Sequence, residues 1–496
     1  DQGIIVHIEK ERYWHDRFIL PGFIDSHVHI ESSMLTPAGF SRIAVVHGTV
    51  AIVCDPHEIA NVLGVDGVHY MMQDAAEIPF TFAFGAPSCV PASPFETSGA
   101  HLGIEEIQVL LRERSVTHLS EMMNYPAVIN GNPETIAKID SARKSGKPVD
   151  GHAPGLHGDD LRRYVSAGIS TDHESFDSEE AREKIGLGMK ILIREGSAVK
   201  NFAVLYPLID EYPDMCMFCT DDLHPDSLIR GHINTLVHRA LRRGIDVMKV
   251  LRCACLNPIN HYRLDVGCLR VSDPADMIVV DTIENLNVLQ TIVRGNVVAE
   301  NGVSNIAYRR PRTINKFVIG KKRPEDFGIL KRSDLIRVID IIEGQLVTDS
   351  LTTYPAVNAG EVISDVSRDI LKIAVINRYS DVPPAIGFIR GFKLNNGAIA
   401  SSIAHDCHNI IAVGVSDQSI CEAVNLIIEK KGGISLASEE MKMILPLPIA
   451  GIMSDDDGYI VAEKYRRLNA LAGELGCGLD APFMTLAFMA LAVIPK

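Results

Sequence analysis

Short apolar runs alternate with amphipathic stretches through the first half of the chain. The apolar runs fall at 18–24, 49–54, 80–84, 116–119, 148–149 with its flanks, 168–170, 189–194 and 215–219. Helical periodicity fills the intervals, at 37–47, 65–77, 105–114, 133–145, 159–167, 178–187 and 232–243. Strand followed by helix, repeated eight times, predicts a parallel sheet, and eight such units over roughly 250 residues are what a TIM-type (β/α)8 barrel needs. After residue 264 the pattern changes. Runs at 266–271, 277–281, 287–294 and 296–299 read as short strands joined by glycine turns, a small β-sandwich domain. The basic, proline-bearing stretch 309–334 reads as a linker, and 335–496 mixes strand and helix signals as a C-terminal α+β domain. The expected α/β architecture is therefore a barrel over 18–264, a small β domain over 265–308, and the C-terminal domain.

Polar residues keep a phase against the apolar runs. His27 and His29, Asp55 and His57, Ser88, Glu121, His152, His173, Arg194 with Glu195, and Asp221 with Asp222 all stand just after predicted strands. In a barrel those strand ends meet at one rim, where active sites of this fold are built. The sharpest motif is His27-Val28-His29. Residues i and i+2 of a strand point the same way, so two imidazoles can grip one ion. His152 in Asp150-Gly151-His152-Ala153, His173 in Thr171-Asp172-His173-Glu174 and Asp221 in Thr220-Asp221-Asp222 each sit at a further strand end. Any one of them taken alone reads equally as a satisfied rim residue or a cap. All five converging on one rim points to a metal centre.

Composition narrows the function class. A chain of 496 residues is too long for one ordinary core, and 46% hydrophobic with 22% charged residues reads as globular. The formal net charge of −15 argues against nucleic acid, which needs a basic patch. The 10 cysteines lie mostly in apolar runs and read as reduced, buried thiols of a cytoplasmic protein. Cys216 and Cys219 have C-x-x-C spacing but lack the second pair of a zinc knuckle. No apolar run reaches the ~18 residues of a membrane helix. The nearest, 483–495, reads as core, and no signal peptide is visible. The chain begins at Asp1 rather than Met, so residues upstream are expected.

This set of residues resembles the amidohydrolase superfamily. Its barrels carry H-x-H on the first strand, His on the fifth and sixth, and Asp on the eighth, which maps to His27, His29, His152, His173 and Asp221. Two-metal members bridge their ions with a residue that is often a modified lysine on strand four. Here Glu121 in Ser120-Glu121-Met122-Met123-Asn124 stands in that place, which implies a carboxylate bridge. The strings PGFIDSHVHIESSMLTP, DPHEIANVLG, PSCVPASPFETSGA, EMMNYPAVINGNPE, KPVDGHAPGL, IREGSA, FCTDDLHP and SSIAHDCHNIIAVG are similar to blocks of the adenine deaminase family. The similarity runs from about residue 19 to the end. Family members start with a longer segment, so 1–17 is expected to be a remnant of the small β domain.

The resemblance implies hydrolytic deamination of adenine to hypoxanthine and ammonia. It implies two divalent ions held by His27, His29, Glu121, His152, His173 and Asp221, with Asp221 also shuttling protons. Imidazole and carboxylate ligands without thiolate suit manganese or iron, and permit zinc. Candidates for holding the base are Glu31, Ser32, His57, Glu58, Ser88, Arg194, Glu195 and Asp222, with His405, Asp406 and His408 from the last part of the chain. Arg194 closes an apolar strand, so pairing with a nearby carboxylate is its simpler role. His405, Asp406, His408 and Asn409 form one further cluster. It reads as a second metal site, as a loop that covers or braces the active site, or as turn chemistry. A homodimer is the default assembly. The rival readings are an amidohydrolase of cyclic amides and a barrel that has lost activity and serves as a scaffold.

Overall fold

A computed structural model describes residues 1–10, 16–197, 199–342 and 347–491. The chain divides into two compact units. The first comprises Asp1–His57, Val68–Cys89 and Leu102–Arg309, and the second Glu58–Gly67, Val90–His101 and Arg310–Lys496.

The first unit carries eight parallel strands. These are β2 (Phe23–Val28), β3 (Thr49–Cys54), β4 (Thr81–Ala86), β5 (Val116–Met122), β6 (Val149–Gly151), β7 (Thr171–Asp172), β8 (Lys190–Arg194) and β9 (Cys216–Cys219). They form a five-stranded sheet in the order β2-β3-β4-β5-β6 and a three-stranded sheet β7-β8-β9. Single parallel bridges, Val149 with Ile169 and Val28 with Asp221, lie at the two seams. Near-continuous burial of β2 and β3 is what a sheet covered on both faces requires. Helices Pro133–Lys144, Gly158–Ser166, Ser178–Gly186 and Ile233–Arg242 fall within a residue or two of their expected bounds. Asn132 and Asp177 cap two of them by accepting hydrogen bonds from first-turn amides. Ile233, Leu236, Val237 and Ala240 give the last helix one buried stripe, which packs with Phe23, Ile191, Ile193 and Phe218.

Two expected strands turn out differently. The run at 18–24 is split: β1 (Phe18–Pro21) pairs antiparallel with Met277–Val280, and β2 begins only at Phe23. Gly22 lies between them, where a Cβ would come within 2.3 Å of Val50 Cγ1. The run at 168–170 makes no strand of its own, because Gly168 adopts φ +114° and breaks the extended path before β7.

The small β region is one five-stranded antiparallel sheet, β1 with Met277–Val280, Val288–Val293, Asn296–Glu300 and Val303–Ser304, where a two-sheet sandwich was expected. The stretch 266–271 does not join it. Leu269 and Ser272 take positive φ, and Asp273 Oδ2 accepts hydrogen bonds from the amides of Cys268 at 2.8 Å and Arg270 at 3.1 Å, closing a turn.

The second unit is built on an eight-stranded mixed sheet. Its spatial order is Thr348–Thr353, Ile336–Ile341, Ala385–Arg390, Leu371–Ile376, Ile410–Gly414, Ala398–Ser401, Gly433–Ala437 and Lys442–Pro446. Helix Asp417–Lys430 buries Ile420, Val424 and Ile427 against Ala398, Ala400 and Ala412 of that sheet. Ile319 and Phe327, inside the expected linker, are buried in the same core. The apolar run near the C-terminus forms helix Pro482–Phe488, whose side chains are mostly buried, while 492–496 lie outside the described residues. Among the described residues no helix is long and apolar enough to cross a membrane.

Candidate metal centre

Strand β2 delivers the two histidines, and its register against the end of β9 is fixed by backbone and side-chain bonds. The Asp221 amide donates to His27 O at 2.9 Å and the His29 amide to Asp221 O at 3.3 Å. Asp25 reinforces this junction from below. Its Oδ1 accepts from the amides of His27 at 3.3 Å and Thr220 at 3.0 Å, and its Oδ2 lies 2.9 Å from His232 Nε2. His232 is in turn held by Thr49 Oγ1 at 2.7 Å. The result is a buried link between β2, β3 and β9 that aims His27, His29 and Asp221 at one point.

Glu121 on β5 sits between two sets of imidazoles. Its Oε1 is 3.3 Å from His29 Nε2 and 3.5 Å from His57 Nδ1. Its Oε2 is 2.7 Å from His152 Nδ1 and 3.3 Å from His173 Nε2. Asp221 Oδ1 lies 3.1 Å from His29 Nε2 and 3.7 Å from His27 Nε2. The rings of His27 and His173 stack with centroids 4.1 Å apart. Three overlapping donor sets follow: His27, His29 and Asp221; His27, Glu121 and His173; and His152, His173 and Glu174. All six expected ligands thus belong to one cluster, and only His152 among them is more than slightly exposed.

The protonation pattern suits cation binding. Burial, and then His173 and His29, hold the His27 imidazole well below its usual pKa, so it is a neutral donor. Its Nε2 is buried and has no hydrogen-bond partner among the described residues, a cost that a bound cation would relieve. Burial pushes the Glu121 carboxyl toward its neutral form, but His152, and hydrogen bonds from His152, His173 and His29, outweigh it and hold the group well below the carboxylate range. For His152 burial is likewise outweighed, by Glu174 and Glu121, which lift it to about 9. His29 Nδ1 donates to Asp55 O at 3.1 Å, which leaves Nε2 facing Glu121 and Asp221.

Comparison with known proteins places the chain in a family. The model of the amidohydrolase family matches residues 18–298, and that of the adenine deaminase C-terminal domain matches 345–496. An adenine deaminase of Salinibacter ruber is 54% identical over 496 residues, covering 100% of this chain and 91% of the relative. One of Methanosarcina mazei is 51% identical over 100% of this chain and 92% of its own length. One of Borreliella burgdorferi is 47% identical over 99% and 91%. The chain belongs to the adenine deaminase family of amidohydrolases.

The remaining residues expected around the base in this amidohydrolase are placed as follows. Ser32 Oγ donates to Asp222 Oδ1 at 2.5 Å, and Glu31 is buried nearby in sequence. Ser88 Oγ donates to Glu121 O at 2.5 Å, so it holds the backbone of Glu121. His57 Nδ1 is 3.1 Å from Asp55 Oδ2. Glu195 pairs with Arg239. Arg194 pairs with Glu174 and with Asp221, the carboxylate partnership its position called for. In the second unit Glu58 is gripped by two histidines, with Oε1 2.7 Å from His405 Nδ1 and Oε2 against His408 Nε2. Asp406 Oδ1 is 4.0 Å from His405 Nδ1, and Asn409 Nδ2 donates to Thr97 O at 2.9 Å. Burial holds His408 down at about 4, so its ring is neutral. Asp55, placed with His57 at a strand end by the sequence, packs against both His57 and His29. Three further residues close to the cluster carry no such signal: Asp25, Glu174 and His232. Glu174 adjoins His173, and that adjacency is its only mark in the sequence.

Proposed function

We propose that this chain hydrolyses adenine to hypoxanthine and ammonia at a two-ion centre held by His27, His29, Glu121, His152, His173 and Asp221. The observation that carries the reading is the cluster itself, six candidate ligands from five strand ends with a carboxylate between two imidazole sets, in a chain about half identical to adenine deaminases along its length. Divalent ions bound there would supply a water nucleophile ionised near neutral pH.

The protein's own groups do the rest. His27 offers a neutral nitrogen donor as it stands, His29, His152 and His173 do so once their extra protons are displaced, and Glu121 offers one oxygen to each side. Asp221 presents Oδ1 toward His27 and His29 while Arg194 holds Oδ2. We assign Asp221 the proton shuttle: it takes a proton from the attacking water and returns one toward the ring nitrogen and the departing ammonia. Burial of the cluster excludes bulk water and strengthens each of these contacts.

The reading extends to a closed (β/α)8 barrel, supported by single parallel bridges at both seams between the two sheets. It takes manganese or iron before zinc, on the imidazole and carboxylate donor set. Nine of the ten free cysteines are buried thiols, which supports a reducing, cytoplasmic setting. A symmetric homodimer is the assembly we propose, to be checked by sedimentation. The deciding experiment is ammonia release from adenine, with manganese supplied and then with a chelator. Release that needs metal, with none from adenosine, is expected. No release from folded, metal-loaded protein would overturn the reading in favour of another amide or amine substrate.

A further inference from the structure

Lys184 is fully buried on helix Ser178–Gly186. Its three ammonium protons meet three close acceptors: Glu180 Oε1 at 2.6 Å, Asp172 Oδ2 at 2.8 Å and Ala153 O at 2.8 Å. Ser175 Oγ lies further off at 3.3 Å. A buried ammonium is tolerated only when paired and hydrogen-bonded in this way. What matters is which residues it joins. Ala153 follows His152, and Asp172 precedes His173.

The joint is closed from both sides. Asp172 Oδ1 accepts from the Ala153 amide at 2.9 Å, so Ala153 is held at its amide by Asp172 and at its carbonyl by Lys184. Asp172 Oδ2 also accepts from Ser175 Oγ at 2.8 Å. Glu180 extends the grip, with Oε1 accepting from the Gly155 amide at 2.9 Å and Oε2 from the Phe176 amide at 3.0 Å. The two segments that carry His152 and His173 out of β6 and β7 are therefore tied directly, by the Ala153 amide on Asp172, and again through the Lys184 ammonium. Without it, Asp172 and Glu180 would be left as neighbouring buried carboxylates, and their mutual repulsion would strain the remaining Ala153–Asp172 bond.

We infer that Lys184 is a positioning residue for the metal centre: by clamping Ala153 to Asp172 it sets the spacing of His152 and His173. The inference rests on the two-ion reading above. Outer partners of metal ligands typically govern affinity by 10- to 100-fold, which is the scale expected here.

The test is manganese binding to chelator-stripped, folded protein, read as stoichiometry and affinity by titration, for the parent and Lys184→Met. The parent is expected to take two ions. Lys184→Met is expected to lose about 10- to 100-fold in affinity at one site, with KM for adenine nearly unchanged and kcat reduced when that site is unfilled. Lys372→Met is the comparison for loss of a buried lysine as such. Lys372 is equally buried, but donates to Phe327 O and Asp417 and touches no proposed ligand. It is expected to lose stability and keep its manganese affinity. If Lys184→Met does not fold, Asp172→Asn, which keeps the shape and removes the charge, is read by the same titration. A variant that folds and binds both ions within twofold of the parent overturns the positioning role, whatever its melting temperature. A parent that takes up no manganese overturns the two-ion reading and this inference with it.

Discussion

Arg194 holds Glu174 with both arms of its guanidinium, Nη1 2.5 Å from Oε1 and Nη2 2.9 Å from Oε2. Both residues are buried, and the same Nη1 donates to Asp221 Oδ2. The cation at the end of β8 is thus committed to two carboxylates, one of them the proposed proton shuttle. Its charge keeps Asp221 well below the carboxylate range against the opposing effect of burial.

Replacing it should be costly twice over. Arg194→Met leaves two buried carboxylates without their cation, a change that costs on the order of 3–5 kcal/mol. Asp221 also loses the bond that fixes its rotamer, so kcat should fall at least about tenfold, as removal of a positioning contact does. Urea denaturation and steady-state kinetics on adenine check both. Stability and kcat close to the parent would show that neither consequence follows from the pairing.

Glu121→Gln separates the bridge from the fold. Glutamine keeps the size but loses the charge and one of the two acceptor oxygens that now face His29 and His152. Turnover should disappear and bound metal should drop from two ions per chain to one, with the circular dichroism spectrum unchanged. Metal analysis of purified protein reads the second point directly. Near-normal activity in this variant, or in Asp221→Asn, would sink the binuclear assignment.

Gly151 gives a purely steric handle on His152. A Cβ there would lie 2.3 Å from Thr171 O and 2.6 Å from Ile169 Cγ2. The first is backbone, so β6 must move away from β7, and overpacking of this kind costs about 1–3 kcal/mol. Gly151→Ala should therefore lower the melting temperature and also lower kcat, because the displaced residue adjoins His152. Loss of stability with full activity would show that His152 does not need this register.

The rim residues were legible in the sequence because periodicity marks strand ends, and polar residues at those ends have one place to go. His27, His29, Glu121, His152, His173 and Asp221 all fall out of that rule or of the family resemblance. Lys184 and Asp25 did not. Each is a buried charge whose meaning lies in partners far along the chain, Ala153 for one and Thr220 and His232 for the other. Nor does hydrophobicity say which sheet a strand joins. The run 18–24 is uniformly apolar, yet Gly22 passes its two halves to different sheets. At 266–271 the valines suggested a strand, but the local bonds of Asp273 closed a turn instead.

Acid should destabilise the protein, and His261 offers a way to measure one contribution. Burial, with Lys190 and His118 adding to it, lowers this histidine to about 3. Its ring lies beside Ser170 Oγ at 3.3 Å. An unfolded chain releases that restraint, and the side chain returns to roughly 6.5. Between those values the unfolded state binds a proton that the folded state does not, so stability present above about pH 6.5 is lost as the pH falls, by up to about 1.4 kcal/mol per unit. His47 and His118, both held near 4 chiefly by burial, add to the same slope. His261→Gln removes one titrating group. The stability advantage of the parent over this variant should shrink by about 1–2 kcal/mol between pH 7 and pH 5. Denaturation of both proteins at several pH values measures it. A difference that stays constant across that range would mean that His261 takes up its proton in the folded protein as readily as in the unfolded chain.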